Sequence, residues 1–275
     1  MSYDPVTEDC PYDPEHPATM LEVEIPSGNA ILLGRAYLAA GAGPHPMAIF
    51  LHGIPGHEQN MDIAHAVRRA GWNAVVFHYQ GSWGSTGVYR FNHVLANVEA
   101  ALAYFRQPEV AQTFRTDPAR IILIGHSLGG WATLMTMAKG LVDTAAAIAP
   151  INMGMMGEML REDEDIVRPM MQQLFAPLVI RLNDVTADDL VGEIYAADAW
   201  DYYQMVPEFI EKRLLLVGAE RDDVVPPGQH LLPLVSLLNK SNMTQLSYQS
   251  LPADHVFSYQ RIALTRLIVD WLGTL

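Results

Sequence analysis

No stretch of this chain constrains its fold more than Arg120-Ile121-Ile122-Leu123-Ile124-Gly125-His126-Ser127-Leu128-Gly129-Gly130-Trp131. Four consecutive apolar residues run into Gly-His-Ser-Leu-Gly, and a helix-compatible segment follows from Trp131 to Lys139. The pattern is strand, tight turn, helix. A G-x-S-x-G turn in that setting is a nucleophile elbow. Its glycines let strand and helix pass closely, and its serine stands clear at the carboxyl end of the strand. Ser127 is therefore the candidate nucleophile, and the N–H of Leu128, at the start of the helix, is a candidate oxyanion donor. A glycine-rich turn with an incidental serine is the plainer alternative, but few chance matches sit between a strand and a helix.

The rest of the chain repeats the alternation. Met20–Ile25 and Ile31–Leu38, joined by Pro26-Ser27-Gly28-Asn29, read as an antiparallel edge hairpin. Strands are expected at Met47–Leu51, Asn73–Tyr79, Thr144–Ile148, Arg213–Gly218 and Thr244–Leu251. Helices are expected at Asn60–Ala70, His93–Phe105, Gly228–Asn239 and Tyr259–Leu272. Such a sequence makes an α/β fold with mostly parallel strands and helices on both faces. Residues 1–19, rich in proline and acids, read as an irregular leader, and residues 20–275 as one domain. Between about residues 153 and 206 the rhythm breaks into an acidic, methionine-rich segment of short helices with no sheet strand, which reads as an inserted lid.

Half of the 275 residues are hydrophobic, enough for a large core, and the formal net charge of −14 opposes nucleic acid and anionic membrane surfaces as partners. One cysteine, Cys10, excludes an intrachain disulfide framework, and the N-terminal residues lack a signal-peptide pattern, so the expected location is cytoplasmic. No apolar run approaches the ~20 residues needed to span a bilayer. Neither a phosphate-binding glycine motif nor a metal-ligand spacing is present, so no cofactor and no metal are expected.

A serine hydroxyl needs a base, and that base an orienting carboxylate. In elbow-type enzymes the chain order is Ser, then Asp or Glu, then His. Only His230 and His255 follow Ser127. His230 falls inside an expected helix, whereas His255 lies just past a strand, so His255 is the candidate base. The loop after the 213–218 strand offers Glu220, Asp222 and Asp223, and the residues alone leave the choice among them open. The second oxyanion donor should come from the loop after Leu51. Pro55 has no N–H, leaving Gly53 or Ile54, of which Ile54 is preferred. His52 is either a brace for this loop or an ordinary loop histidine. Met153, Met156 and Trp83 are candidate walls of a substrate pocket, with core filling as the alternative.

Taken together, Leu51-His52-Gly53-Ile54-Pro55-Gly56, Tyr79-Gln80-Gly81-Ser82-Trp83-Gly84-Ser85, Gly125–Gly130, Asp222-Asp223-Val224-Val225-Pro226 and Asp254-His255-Val256-Phe257 resemble the successive signature blocks of the serine α/β-hydrolases. The resemblance covers about residues 20–275 apart from the lid. It implies the α/β-hydrolase fold, with a mostly parallel eight-stranded sheet and a small helical lid insertion. It also implies Asp222 as the acid and Ile54 as the oxyanion donor. The loop led by Tyr79 looks like that of prolyl-oligopeptidase-type and acyl-esterase members, although Gln80 stands where many of them carry a basic residue. The implied activity is hydrolysis of a small-molecule carboxylic ester with a small or medium apolar acyl group. A peptidase or amidase of the same fold and a non-catalytic ligand receptor are the alternatives, and self-association into a homodimer is left open.

Overall fold

Strands covered on both faces must be near-continuously apolar, and the runs Met47–Leu51, Asn73–Phe77, Ile121–Ile124, Thr144–Ile148 and Leu214–Val217 fill the middle of one sheet in a computed structural model that describes residues 3–275. The strands are β1 (Thr19–Ser27), β2 (Ala30–Leu38), β3 (His45–Leu51), β4 (Asn73–Phe77), β5 (Thr116–His126), β6 (Thr144–Ile148), β7 (Arg213–Ala219) and β8 (Leu246–Leu251). Their order across the sheet is β1-β2-β4-β3-β5-β6-β7-β8. β2 is antiparallel to both neighbours, making the expected edge hairpin with β1, and the pairs from β4–β3 to β7–β8 are parallel.

Side chains alternate across each strand, so one sheet feeds two cores. Met47, Ile49 and Leu51 of β3, Leu123 of β5 and Leu214 of β7 point to one face, while Ala48, Phe50, Ile124 and Leu215 point to the other. Helix α1 (Met61–Arg69) covers the second face, together with a C-terminal helix over Arg261–Leu272. The first face is covered by α2 (Phe91–Phe105), which is followed by the short α3 (Pro108–Thr113), and by α4 (Leu128–Ala138).

Between β6 and β7 the chain builds α5 (Met153–Glu162), α6 (Glu164–Val179), α7 (Ala187–Ala196) and α8 (Val206–Phe209), and it adds no strand to the sheet. This insertion is pinned at its root. Asn152 caps α5 by accepting from the N–H groups of Gly154 and Met155 at 3.1 and 3.2 Å, and its amide donates to Asp201 at 2.7 Å.

Two differences from the sequence reading have local causes. The helix expected over Gly228–Asn239 is broken into α9 (Pro227–His230) and α10 (Leu232–Lys240), because Pro233 has no N–H with which to continue the ladder through Leu231. Helix α3 was not anticipated, since six residues opened by Pro108 are too few to show a 3.6-residue period. The closing helix, α11 (Arg261–Leu272), starts two residues later than expected. No described helix is long and apolar enough to cross a membrane.

Candidate active site

The chain leaves β3 for β4 on one side and β5 for β6 on the other, so the loops after β3 and β5 part and open a crevice at the carboxyl edge of the sheet. A cavity of about 210 Å³ lies there, lined by Gly53–Glu58 from the β3 loop, His126 and Ser127 from the elbow, His255 and Val256 from the loop after β8, and Leu178 from α6.

Ser127 has φ 57° and ψ −118°, a conformation costly for a residue with a Cβ, on the order of 1–3 kcal/mol. Its backbone is held on several sides: the N–H donates to Ile148 O at 2.9 Å, and the carbonyl accepts from Trp131 and Ile151 at 3.1 and 3.3 Å. The glycines explain how the elbow fits. A Cβ on Gly125 would lie 2.0 Å from Gly129 O, and one on Gly129 would lie 2.0 Å from Leu51 O. The strand, the helix and β3 meet at distances only glycine allows.

The β3 loop abuts the serine, since a Cβ built on Gly53 would sit 3.0 Å from Ser127 Cβ and 3.4 Å from Oγ. Among the described residues, the N–H groups of Ile54 and Leu128 have no acceptor in the protein. The loop is braced from behind. His52 donates Nδ1–H to Gly53 O at 2.7 Å, Tyr79 OH donates to His52 O at 3.0 Å, and the Trp83 indole N–H donates to Pro55 O. Burial pushes the His52 pKa down to about 3, which keeps the ring neutral and its Nδ1–H committed to this bond.

His255 Nδ1 donates to Asp222 Oδ2 at 2.7 Å, and Asp222 Oδ1 accepts from the N–H groups of Val224 and Val225 at 3.0 and 2.7 Å. The carboxylate is 1% exposed and the imidazole 13%. Asp223 and Glu220 face solvent. With Nδ1–H on the carboxylate, Nε2 of the neutral ring is the acceptor available to a substrate or a hydroxyl. Ser127 Oγ itself has no hydrogen-bond partner among the described residues; such bonds commonly tighten only when substrate is bound.

Not every expected pocket residue lines the cavity. Met153 and Met156 are buried in the first-face core, so filling under the insertion is their observed place. Trp83, 42% exposed, packs its edge on His57 and supports the β3 loop from outside. The apolar wall next to Ser127 comes instead from Leu178 and Val256. Leu178 was not anticipated, because its position depends on how α6 packs across the sheet, and its own neighbours in sequence carry no mark of that. His230, which has no part in the Asp222–His255 pair, accepts the Asn152 N–H at 3.0 Å and is held neutral by burial, its pKa near 4. Among the described residues, no group of three His, Cys, Asp or Glu side chains forms a metal-ligand set.

An eight-stranded, mostly parallel sheet with a serine elbow at its switch point defines an α/β-hydrolase fold. The family model described as the alpha/beta hydrolase family matches residues 48–269, and the chain belongs to that family. Solved structures share the fold at low identity. Est1E from Butyrivibrio proteoclasticus superposes with a TM-score of 0.67 at 15% identity, covering 92% of this chain and 98% of that one. An esterase of Pyrococcus furiosus gives 0.66 at 16%, covering 94% and 90%. The Pyrococcus horikoshii acylaminoacyl peptidase gives 0.67 at 17%, covering 93% of this chain but 41% of that one. No curated protein matches the sequence.

Proposed function

We propose that the protein is a serine hydrolase that cleaves carboxylic esters of small or medium apolar acyl groups through an acyl-enzyme on Ser127. The observation that carries this reading is the Asp222–His255 pair, whose imidazole borders the same cavity as the Ser127 hydroxyl. His255 takes the hydroxyl proton as Oγ attacks the ester carbonyl, and Asp222 stabilises the imidazolium and holds the ring in place. The N–H groups of Ile54 and Leu128 stabilise the oxyanion. The imidazolium then protonates the departing alkoxide, and water repeats the sequence to release the acid and regenerate Ser127. In this reading α5–α8 act as a lid whose residue Leu178 bounds the acyl site.

Among the described residues, Glu58 is the only carboxylate lining the cavity and no arginine or lysine lines it, while Leu178 and Val256 make an apolar wall. This supports an uncharged, apolar acyl group over an anionic one. Amide cleavage requires protonation of a poor leaving group and usually a clamp for a charged terminus. A peptidase reading draws its support from the fold shared with the acylaminoacyl peptidase, of whose length this chain spans less than half.

The test is labelling by a fluorophosphonate probe together with a substrate panel. The probe should modify Ser127, and p-nitrophenyl acetate to hexanoate should exceed aminoacyl anilides in kcat/KM by at least ~100-fold, about 2.7 kcal/mol of transition-state stabilisation. Comparable rates on anilides would make the protein an amidase. Absence of labelling and of turnover would leave a ligand receptor.

A further inference from the structure

The loop that carries His255 is held by side chains that the mechanism above does not use. Most carbonyls of this loop accept from backbone donors. Leu251 O accepts from Glu220 and Ala253 at 2.9 and 2.8 Å, Ala253 O from Arg221 at 2.9 Å, Asp254 O from Phe257 at 3.0 Å, and Phe257 O from Gln260 at 2.9 Å. The carbonyls of His255 and Val256 have none of these. His126 Nε2–H donates to His255 O at 2.8 Å, and Arg261 Nη1 donates to Val256 O at 3.1 Å.

His126 belongs to the elbow, and Arg261, which opens α11 close behind Val256, reaches across to the β3 loop. His126 immediately precedes Ser127, and its ring also lies against that of His255, with centroids 4.8 Å apart. Because its acceptor is a carbonyl, Nε2 must carry the proton. Nδ1 is then bare, buried and, among the described residues, without a partner. Burial lowers the pKa of this ring to about 3, so it remains a neutral donor near neutral pH. The other nitrogens of Arg261 reach Asp62 at the start of α1 and Asn60 Oδ1, the latter at 3.0 Å, at the end of the loop that carries Ile54. The segment so held is not relaxed by itself, since buried Phe257 sits at φ 59°.

We propose that His126 and Arg261 are positioning residues that clamp two consecutive carbonyls of the His255 loop, holding the imidazole in register with Ser127 on one side and with the β3 loop on the other. The proposal rests on the reading of Ser127, Asp222 and His255 given above.

Kinetics of clamp variants on p-nitrophenyl acetate test it. His126→Phe keeps the ring volume but removes the donor, and kcat should fall on the order of 10–100-fold with KM within about twofold, as expected for a misplaced catalytic group. His126→Gln, whose amide N–H can reach the same carbonyl, should recover most of the loss. Arg261→Lys should cost about 10-fold in kcat, and the double variant His126→Phe/Arg261→Lys less than the product of the two, because both act on one loop. The proton NMR signal of His255 Nδ1–H should broaden in His126→Phe relative to wild type.

A folded His126→Phe with wild-type kcat, or a His126→Gln as impaired as His126→Phe, would overturn the clamp. If His126→Phe does not fold, His126→Gln and Arg261→Lys decide: wild-type kcat in Arg261→Lys overturns the proposal. If the wild-type protein neither labels nor turns over ester, the catalytic reading fails. The Nδ1–H signal then still reports whether His126 holds the loop.

Discussion

The elbow and the insertion lie on the same edge of the sheet, and beyond its root at Gly154 and Gly157 the insertion is built by a different rule. From β5 through α4, backbone approaches backbone so closely that Gly125 and Gly129 admit no side chain, and Ser127 occupies a conformation that only its surroundings stabilise. In α5–α8 such backbone approach is confined to Gly154 and Gly157, whose Cβ atoms would stand 2.1 Å from Asp201 N and 2.7 Å from Ile194 O, and elsewhere contact is made by side chains. Met153, Met156, Met171 and Phe175 fill the core while Ile166, Met170 and Leu174 of the same segment remain exposed, and Gly192 in α7 has nothing within 4 Å of where a Cβ would stand. Geometry held by backbone tolerates almost no substitution, whereas packing by flexible side chains tolerates many. Chemistry is expected to sit on the first and selectivity on the second.

The sharpest break of that contrast is chemical. Ser127→Ala should abolish ester turnover by ~10⁴-fold or more, about 5.5 kcal/mol, without loss of fold, because alanine is smaller than serine at a position already held by its neighbours. Asp222→Asn should cost on the order of 10⁴ by favouring the wrong tautomer of His255, while solvent-facing Asp223→Asn changes little. Steady-state kinetics on p-nitrophenyl butyrate check both, and a crippled Asp223 variant would move the acid by one residue.

Stability sets the two regions apart next. Gly129→Ala places a methyl 2.0 Å from Leu51 O, a backbone atom that cannot turn aside, and should destabilise by about 3 kcal/mol. Gly192→Ala, in open space within a helix, should instead stabilise by up to about 1 kcal/mol. Urea denaturation of the two variants reads the difference, and equal effects would erase the contrast.

Acid should strike the elbow side. His52 and His126 are buried, with pKa values lowered from 6.5 to about 3, and they flank the cavity. The unfolded chain binds protons that the folded one refuses as pH falls below 6.5. Their contribution is therefore intact above that pH and is lost between 6.5 and about 3, at up to about 1.4 kcal/mol per pH unit for each ring. The melting temperature should drop between pH 7 and 5, and His52→Gln should flatten the profile. A pH-independent melting temperature over that range would mean that these rings are not held neutral.

The smallest expected effect is selectivity. Leu178→Ala, which opens the one wall of the cavity contributed by α6, should raise kcat/KM for p-nitrophenyl octanoate relative to acetate by about fivefold, the scale of one or two methylenes in an apolar pocket. An unchanged ratio would place the acyl group elsewhere.

What the sequence determined by itself was the order of strands and helices, the sharp turn at Ser127 and the place of His255 just past a strand, with His230 in a helix. All of these follow from local rules: apolar runs between turns, glycines around a sharp turn, and a histidine just past a strand. Local pattern could not choose among Glu220, Asp222 and Asp223, because adjacent acids differ only in which way the loop turns them. The tertiary structure shows which of them meets His255, because the Val224 and Val225 N–H groups and the His255 imidazole all converge on Asp222. The same holds for Trp83, Met153 and Met156, whose chemistry suited a pocket but whose neighbours, distant in sequence, made them brace and core, and for Leu178, His126 and Arg261. Each of these acts on a partner that the chain reaches only after crossing the sheet, and direction across a sheet is not written in the spacing of residues along it.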